Sequence, residues 1–573
     1  SGFCMGVRRA VDMVLDASVE NEDPIYTYGP LIHNPQVLRV LEQKGVQILD
    51  GMPVNGSGTV LIRAHGVPPE TMDNLRKLGF NLLDATCPRV IKIQTIIKQY
   101  AKQKHAIIII GNTSHPEVIG LLGHAAEKGY AVESLDKLKA LPVFEKAIIV
   151  AQTTQNTHLF EEVKSWARSN YPHYKIFETI CDSTEKRQAE VKKMAGSVDA
   201  MLIVGGRNSG NTQRLAEIAK HSGKPTFHIE SETDLDSIDA KILTSAPCIG
   251  ITAGASTPNW IIKRVYRALE QLPYKQKPCW RSILFAIQRT LLLTNIYVSL
   301  GAGLLCYACT KLQGIPNYWP YVYISMLYVH SMHTINHLTG TKADQYNDPD
   351  RAVFYLKYKP LLILAAIIAG GAGLLIAFSV GIWSFILLLI MSIMGLSYNL
   401  PLLPESLRGI RYRRIRDISG SKTILIAMAW GIVVAILPPL SANAKITWGN
   451  VLIFMWSTGL VFSKTLFFDI LDMQGDRIIG RETLAISLGE KRSMRLLDIV
   501  AIVLIVMLPL FSAYQLVSAL GFVLTLCPIF ILMVILAYRK GFLLPGIRLE
   551  FLVESHFILA GLLTFIWTVI DGT

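Results

Sequence analysis

Residues 84–120 read DATCPRVIKIQTIIKQYAKQKHAIIIIGNTSHPEVIG. From Val90 to Gln103 the apolar residues recur at helical spacing, and Pro88 suits a first helical turn. The run HAIIII at 105–110 is β-branched and unbroken, as in a strand covered on both faces, and a Gly-Asn turn stops it. A cysteine thus stands where a chain segment enters a helix, and a buried strand follows.

The same alternation extends outward. KAIIVA (146–151), AMLIVGG (200–206), TFHIE (226–230) and CIGITAG (248–254) read as strands, with the amphipathic stretch Glu185 to Met194 between them. Residues 1–275 are therefore expected to be α/β with parallel sheets in several lobes. Cys4 and Cys181 share the setting of Cys87, preceding MGVRRAVDMVLDA and DSTEKRQAEVKKM, where Ser183 and Thr184 can cap. A helix N-terminus favours a thiolate. Spacings of 83 and 94 residues match no zinc finger or short ferredoxin motif. Taken alone, they suit three separate buried cysteines as well as three ligands drawn from three lobes. His33, His65 and His115 lie beside glycine and proline turns able to ring an anion. The turn Gly205-Gly-Arg-Asn208-Ser209-Gly-Asn211-Thr212 follows a strand and opens a helix expected over Gln213 to Lys220, an arrangement that suits phosphate. Gly254-Ala-Ser256-Thr257-Pro258 repeats it.

Together GFCMGVRRAV, GPLIHNPQVL, RAHGV, DATCPRV, SHPEVIG, AQTTQ, TICDSTEKRQ, GGRNSGNT and GITAGASTPNW resemble, in order, the LytB/IspH family of 4-hydroxy-3-methylbut-2-enyl diphosphate (HMBPP) reductases of the non-mevalonate isoprenoid pathway. The resemblance implies a three-lobed, trefoil-like α/β fold around a [4Fe–4S] cluster on Cys4, Cys87 and Cys181. It implies that His33, His65, His115, Asn208, Ser209, Asn211 and Ser256 hold the diphosphate. Glu117 would deliver protons, Thr153 or Thr154 would orient the substrate hydroxyl, and a ferredoxin or flavodoxin would supply electrons. Gly210 stands where the family usually has a second serine, so weaker diphosphate binding is expected. Because Ser1 stands so close to Cys4, a strand leading into Cys4 is expected to precede Ser1.

The whole chain of 573 residues is 51% hydrophobic, an average over two unlike halves. Eight cysteines in such a length form no disulfide framework. Cys306, Cys309 and Cys527 read as helix packing, Cys248 as a buried strand residue and Cys279 as a linker residue. The net charge of +13 lacks the clustered, aromatic-interleaved basic pattern of nucleic-acid binders, so no nucleic-acid partner is expected. No cleavable signal peptide is read in the first half, which is expected in the cytoplasm.

After a basic linker at 273–281, nine apolar spans are expected: 282–310, 317–337, 359–379, 382–400, 421–441, 449–470, 494–513, 515–538 and 552–570. The second half, 282–573, thus reads as an all-α polytopic bundle in a lipid bilayer. Positive residues gather after spans two, four (Arg408 to Arg416), six and eight, which places those loops, the linker and the first half on the cytoplasmic side of a bacterial-type membrane. Asp469, Asp472 and Asp476 lie at three- and four-residue spacing, project from one helix face, and would repel unless a cation such as Mg²⁺ joins them. This segment resembles the second Asp-rich motif of the UbiA superfamily of intramembrane prenyltransferases, and nine spans fit that family. The resemblance implies Mg²⁺, a prenyl diphosphate and an acceptor of unknown identity. The family's first motif, Asn-Asp-x-x-Asp-x-x-x-Asp, stands here as Asn336-His337-Leu-Thr-Gly340-Thr-Lys-Ala-Asp344. Two carboxylates are thus replaced, and Lys342, Arg351, Arg413 and Lys422 are the candidate compensating cations. The chain is expected to be a fused reductase and prenyltransferase. The alternatives are a reductase with a membrane anchor or prenyl-diphosphate-binding module, and a prenyltransferase with a vestigial reductase.

Overall fold

The computed structural model describes residues 2–20, 23–276, 280–316, 318–398, 420–442 and 446–571. The chain divides into two compact units, Ser1–Ala268 and Leu269–Thr573. Cys279, the cluster Arg408 to Arg416 with its Arg413, and the Lys342 side chain lie outside the described residues.

The first unit holds three parallel sheets. One orders its strands β2-β1-β3-β4, from β1 (Ile25–Tyr28), β2 (Val46–Leu49), β3 (Thr59–Ile62) and β4 (Asn81–Asp84). The next runs β6-β5-β7-β8, from β5 (Ala106–Ile110), β6 (Gly129–Val132), β7 (Ala147–Ala151) and β8 (Lys175–Ile176). The third runs β10-β9-β11, from β9 (Ala200–Val204), β10 (Thr226–Ile229) and β11 (Ile249–Ala253). Every residue of β5, β7 and β9 is buried, because helices cover both faces of a parallel sheet. Cys248, expected as a buried strand residue, is in fact exposed and directly precedes β11.

Corresponding loops make corresponding bonds. Gly29, Gly111 and Gly205, each directly after β1, β5 or β9, donate their N–H to Leu49, Val132 and Ile229 at the ends of β2, β6 and β10. Cys87, Cys181 and Cys4 donate theirs to the carbonyls of Ala64, Thr153 and Ala255, each two residues past β3, β7 or β11, at 2.9, 3.0 and 3.0 Å. The three lobes thus repeat one plan, and the helix Met5–Glu20, first in the chain, takes its place beside the third lobe.

The second unit is helical. Among the described residues, six helices are long and apolar enough to cross a membrane: Lys359–Val380, Ser421–Ser441, Trp448–Ile479, Glu490–Ala513, Leu520–Arg539 and Ile547–Ile570. A seventh is added if Ser282–Leu293 and Ile296–Leu312, bent by 74°, form one span. The bend falls at Asn295, at φ 58°, whose side-chain amide donates to Tyr355 Oη at 2.7 Å. The nine expected spans are not confirmed, for two physical reasons. Trp319–Asn347 is 29 residues long but too polar, with His330, His333, Asn336 and His337 along it, and Ile382–Ser397 has only 16 residues.

Candidate functional site

Cys87 and Cys181 are the N-caps of the helices Pro88–Lys102 and Asp182–Ala195, and Cys4 directly precedes Met5–Glu20. All three thiols are free and line one cavity between the lobes. Gly6 makes room for this convergence, since a Cβ there would stand 2.5 Å from Cys87 Sγ. The expectation of lowered thiol pKa values does not hold for Cys4 and Cys87. Burial raises both, and outweighs the first-turn N–H groups of Gly6, Val7, Arg89 and Val90, which pull the other way. Such thiols hold their protons until a cationic centre takes them. Three sulfur donors from three lobes, with no fourth cysteine on the cavity, fit a cluster that keeps one iron open.

The other lining residues come from equivalent loop positions. His33, His115 and Ser209 stand five residues after β1, β5 and β9, and His65, Thr154 and Ser256 three residues after β3, β7 and β11. The three imidazoles pack with ring centroids 5.0 to 5.8 Å apart. Burial, then neighbouring charge, lowers all three pKa values, that of His115 to about 4, so the rings are neutral at physiological pH. Three neutral imidazoles, each with a ring nitrogen within 4.8 Å of one on the others, also resemble a metal cage. His115 decides against that use. Its Nδ1 accepts the Glu117 N–H at 3.1 Å, so the ring proton sits on Nε2 and makes that nitrogen a donor. Donors converging on a cavity suit an anion.

His33 Nε2, His65 Nδ1 and both side-chain polar atoms of buried Asn211 have no hydrogen-bond partner among the described residues. Orphaned polar atoms of this kind call for a polar ligand. Ser209 Oγ accepts the Thr212 N–H at 3.4 Å, and Ser256 Oγ lies 3.3 Å from Ser209 Oγ. The helix here begins at Gly210, three residues earlier than expected, which puts Asn211 in its first turn. Asn208 departs from the group. It lines an adjoining polar cleft with His33, His115, Thr154 and Gly210, and is absent from the central cavity lining.

Gly210 has space for a side chain. A Cβ would meet His115 Nε2 at 3.6 Å and Thr154 Oγ1 at 4.0 Å, both ordinary contacts. Gly210→Ser is therefore expected to add a hydroxyl to the cradle and lower KM by roughly two- to tenfold, the effect of about one net hydrogen bond. Steady-state kinetics checks this; an unchanged or higher KM refutes it.

Glu117 lies two residues into the helix Pro116–Leu122 and is only 2% exposed. Its Oε1 accepts the Thr153 N–H and its Oε2 the Thr153 hydroxyl, both at 2.7 Å. Burial raises its pKa against the pull of these two bonds. The carboxyl is thereby fixed in direction and made readier to hold a proton. The Thr154 hydroxyl accepts from Gln152 Nε2 at 3.0 Å and also faces the cavity.

The second unit brings its two Asp-bearing segments into one network. Asp469 and Asp476 are buried on the helix Trp448–Ile479, and Asp472 is half-buried. Asp469 pairs with Lys422 Nζ at 3.4 Å and accepts from the Thr423 hydroxyl, while Asp476 accepts from Asn347 Nδ2 at 3.0 Å. On the helix Trp319–Asn347, which also carries Asn336, His337 Nδ1 donates to Asp344 at 3.0 Å. His337 Nε2 accepts from Arg351 Nη1 at 2.8 Å. Asp469, Asp472 and Asp476 share one helix, but among the described residues only His33, His65 and His115 bring three candidate ligand atoms within 4.8 Å of one another. The Asn336–Asp344 segment does not match them, because its remaining carboxylate is bound to His337. The motif gave no sign of Thr423 as a partner of Asp469.

The family model for the LytB protein matches residues 1–270, and that for the UbiA prenyltransferase family matches residues 283–543. The 4-hydroxy-3-methylbut-2-enyl diphosphate reductase of Aquifex aeolicus is 40% identical over 275 residues, covering 48% of this chain and 94% of that protein. The enzyme of the same name from Oleidesulfovibrio alaskensis is 43% identical over 277 residues, covering 48% and 97%. A UbiA homolog from Archaeoglobus fulgidus, solved bound to GPP and Mg²⁺, is 16% identical with a TM-score of 0.36, covering 48% of this chain and 99% of that one. The chain therefore belongs to the LytB family through its first half and carries a UbiA prenyltransferase domain in its second.

Proposed function

We propose that the first unit reduces HMBPP to isopentenyl and dimethylallyl diphosphates, and that the second is a multi-pass membrane prenyltransferase. The observation that carries the reductase reading is the meeting, on one cavity, of three free cysteines, three neutral histidines and a buried carboxyl. Cys4, Cys87 and Cys181 would hold a [4Fe–4S] cluster, which when bound supplies electrons and a Lewis-acidic iron. The remaining work falls to the chain. His115 Nε2–H, with His33, His65, Ser209, Asn211 and Ser256, binds the diphosphate and fixes its direction, and Asn208 lies at the edge of that site. Thr153 holds the Glu117 carboxyl in place, and Thr154 orients the substrate hydroxyl. Glu117 keeps a proton beside the carbon–oxygen bond to be broken. The reaction consumes two electrons and two protons and releases water, and a ferredoxin or flavodoxin supplies the electrons.

In the membrane unit, Asp469, Asp472 and Asp476 would hold Mg²⁺ against a prenyl diphosphate, near Lys422. The charge bias of the loops supports placing this site and the reductase on the cytoplasmic face of the membrane. The bond between Asp344 and His337 favours one further reading, in which the membrane unit binds prenyl diphosphate without transferring it.

Two assays on the detergent-purified full chain test these readings. Anaerobic oxidation of reduced methyl viologen should depend on HMBPP; its absence in cluster-loaded protein defeats the reductase reading. Calorimetry should show Mg²⁺-dependent binding of geranyl diphosphate, weakened about a hundredfold or more by Asp469→Asn through loss of a buried metal-binding charge. Binding that survives this substitution means that the diphosphate sits elsewhere.

A further inference from the structure

Each of the three cysteine-led helices carries an arginine that reaches into the segment of the next cysteine. Arg9, on Met5–Glu20, donates to the Thr86 and Asp84 carbonyls at 2.8 and 3.3 Å, in the stretch that leads into Cys87. Arg89, on Pro88–Lys102, pairs at 2.6 Å with Asp182, the residue after Cys181. Arg187, on Asp182–Ala195, donates to the Ala253 carbonyl at 2.8 Å and to that of Gly2, two residues before Cys4. The links run in one sense, from Cys4 to Cys87 to Cys181 and back to Cys4.

Their electrostatic weights differ. Arg9 is exposed, and the Arg89–Asp182 pair leaves its side chains 43% and 62% exposed, so water and salt screen both. Arg187 is half-buried, and its charge acts on both Cys4 and Cys181. Its two hydrogen bonds go to neutral carbonyls, which aim the guanidinium without cancelling its charge. The carboxylate that acts on it is that of Glu190, an exposed residue. Burial lowers the Arg187 pKa, yet a guanidinium stays protonated across the physiological range. A fixed cation therefore stands beside two of the three thiols. Charge held next to a redox centre favours the state of opposite sign, and so shifts its potential.

We propose that Arg187 is a positioning residue of the reductase, which ties the Cys4 segment to the third lobe and raises the reduction potential of the cluster on Cys4, Cys87 and Cys181. One electron from the ferredoxin or flavodoxin adds one negative charge there, and the guanidinium stabilises that charge. Arg187 does not line the cavity, so it acts through the thiols and not on the substrate. This inference rests on the cluster reading of the three cysteines.

A redox titration followed by electron paramagnetic resonance tests it, on the full chain in detergent after anaerobic reconstitution. Arg187→Gln keeps a donor for the carbonyls and removes the charge. It should lower the reduced-to-oxidised ratio at a fixed potential about tenfold, which for one electron moves the midpoint about 59 mV in the negative direction. Arg187→Lys keeps the charge and should recover most of that shift. Arg9→Gln also gives up carbonyl bonds, but from an exposed position, and should leave the midpoint in place. An unchanged midpoint in Arg187→Gln overturns the inference, as does an equal shift in Arg9→Gln. If Arg187→Gln takes up no cluster, Arg187→Lys decides: a midpoint that falls by the full amount there overturns the inference. If the unaltered chain takes up no iron and sulfide, the cluster reading fails, and the role of Arg187 fails with it.

Discussion

Cys87→Ser is expected to abolish HMBPP reduction and the visible absorption of the reconstituted chain's cluster. Serine is nearly isosteric, so the N-cap position and the bond from residue 87 N–H to the Ala64 carbonyl survive. What is lost is a soft sulfur donor at a site where two others remain. A hydroxyl is a far poorer iron ligand, and a pKa well above that of a thiol deepens the cost of burial already felt at this position. The expected fall in activity is about a thousandfold or more, to the assay floor. Iron and sulfide analysis on anaerobically reconstituted protein separates loss of the cluster from loss of the fold. Near-normal turnover with a full cluster would remove Cys87 from the ligand set.

Glu117→Gln should leave the cluster in place and still cut turnover by about a hundred- to ten-thousandfold, the range for removing a positioned proton donor. The amide is isosteric and its oxygen still accepts one Thr153 bond. It carries no transferable proton. Its NH₂ group would also face a Thr153 donor, a mismatch that costs stability on the order of 1 kcal/mol. KM should change little, because the proposed assignment gives Glu117 the proton and other side chains the diphosphate. A kcat that stays within a few-fold of the unaltered chain would assign the proton to another group.

Much of this was legible in the sequence, and the failures have identifiable causes. AIIII, AIIVA and AMLIV announce strands because both of their faces are buried. VQIL and NLLD did not, since they lie at the sheet edge and expose part of their four residues. The cysteines were readable as helix starts, but the resulting thiol chemistry was not, because burial is a property of the assembled lobes. The equivalence of the other loop positions across the three lobes was hidden because they carry unlike residues, as at His33, His115 and Ser209. In the membrane half, hydropathy located the helices, and six or seven of the nine expected spans are long and apolar enough among the described residues to cross a membrane. Asp469, Asp472 and Asp476 were plain from their spacing, whereas the bond from Asn347 to Asp476 joins two distant helices and no periodicity reveals it.

The bond between Cys4 N–H and the Ala255 carbonyl also sets a clock. A ribosome adds roughly 5–20 residues per second, so Cys4 waits tens of seconds before its anchor exists. Cys87 and Cys181 find theirs, Ala64 and Thr153, within segments made earlier. The nascent chain thus passes through an interval in which one thiol lacks its seat. On the proposed assignment of the three thiols to a cluster, delivery before residue 255 emerges would meet only two positioned ligands.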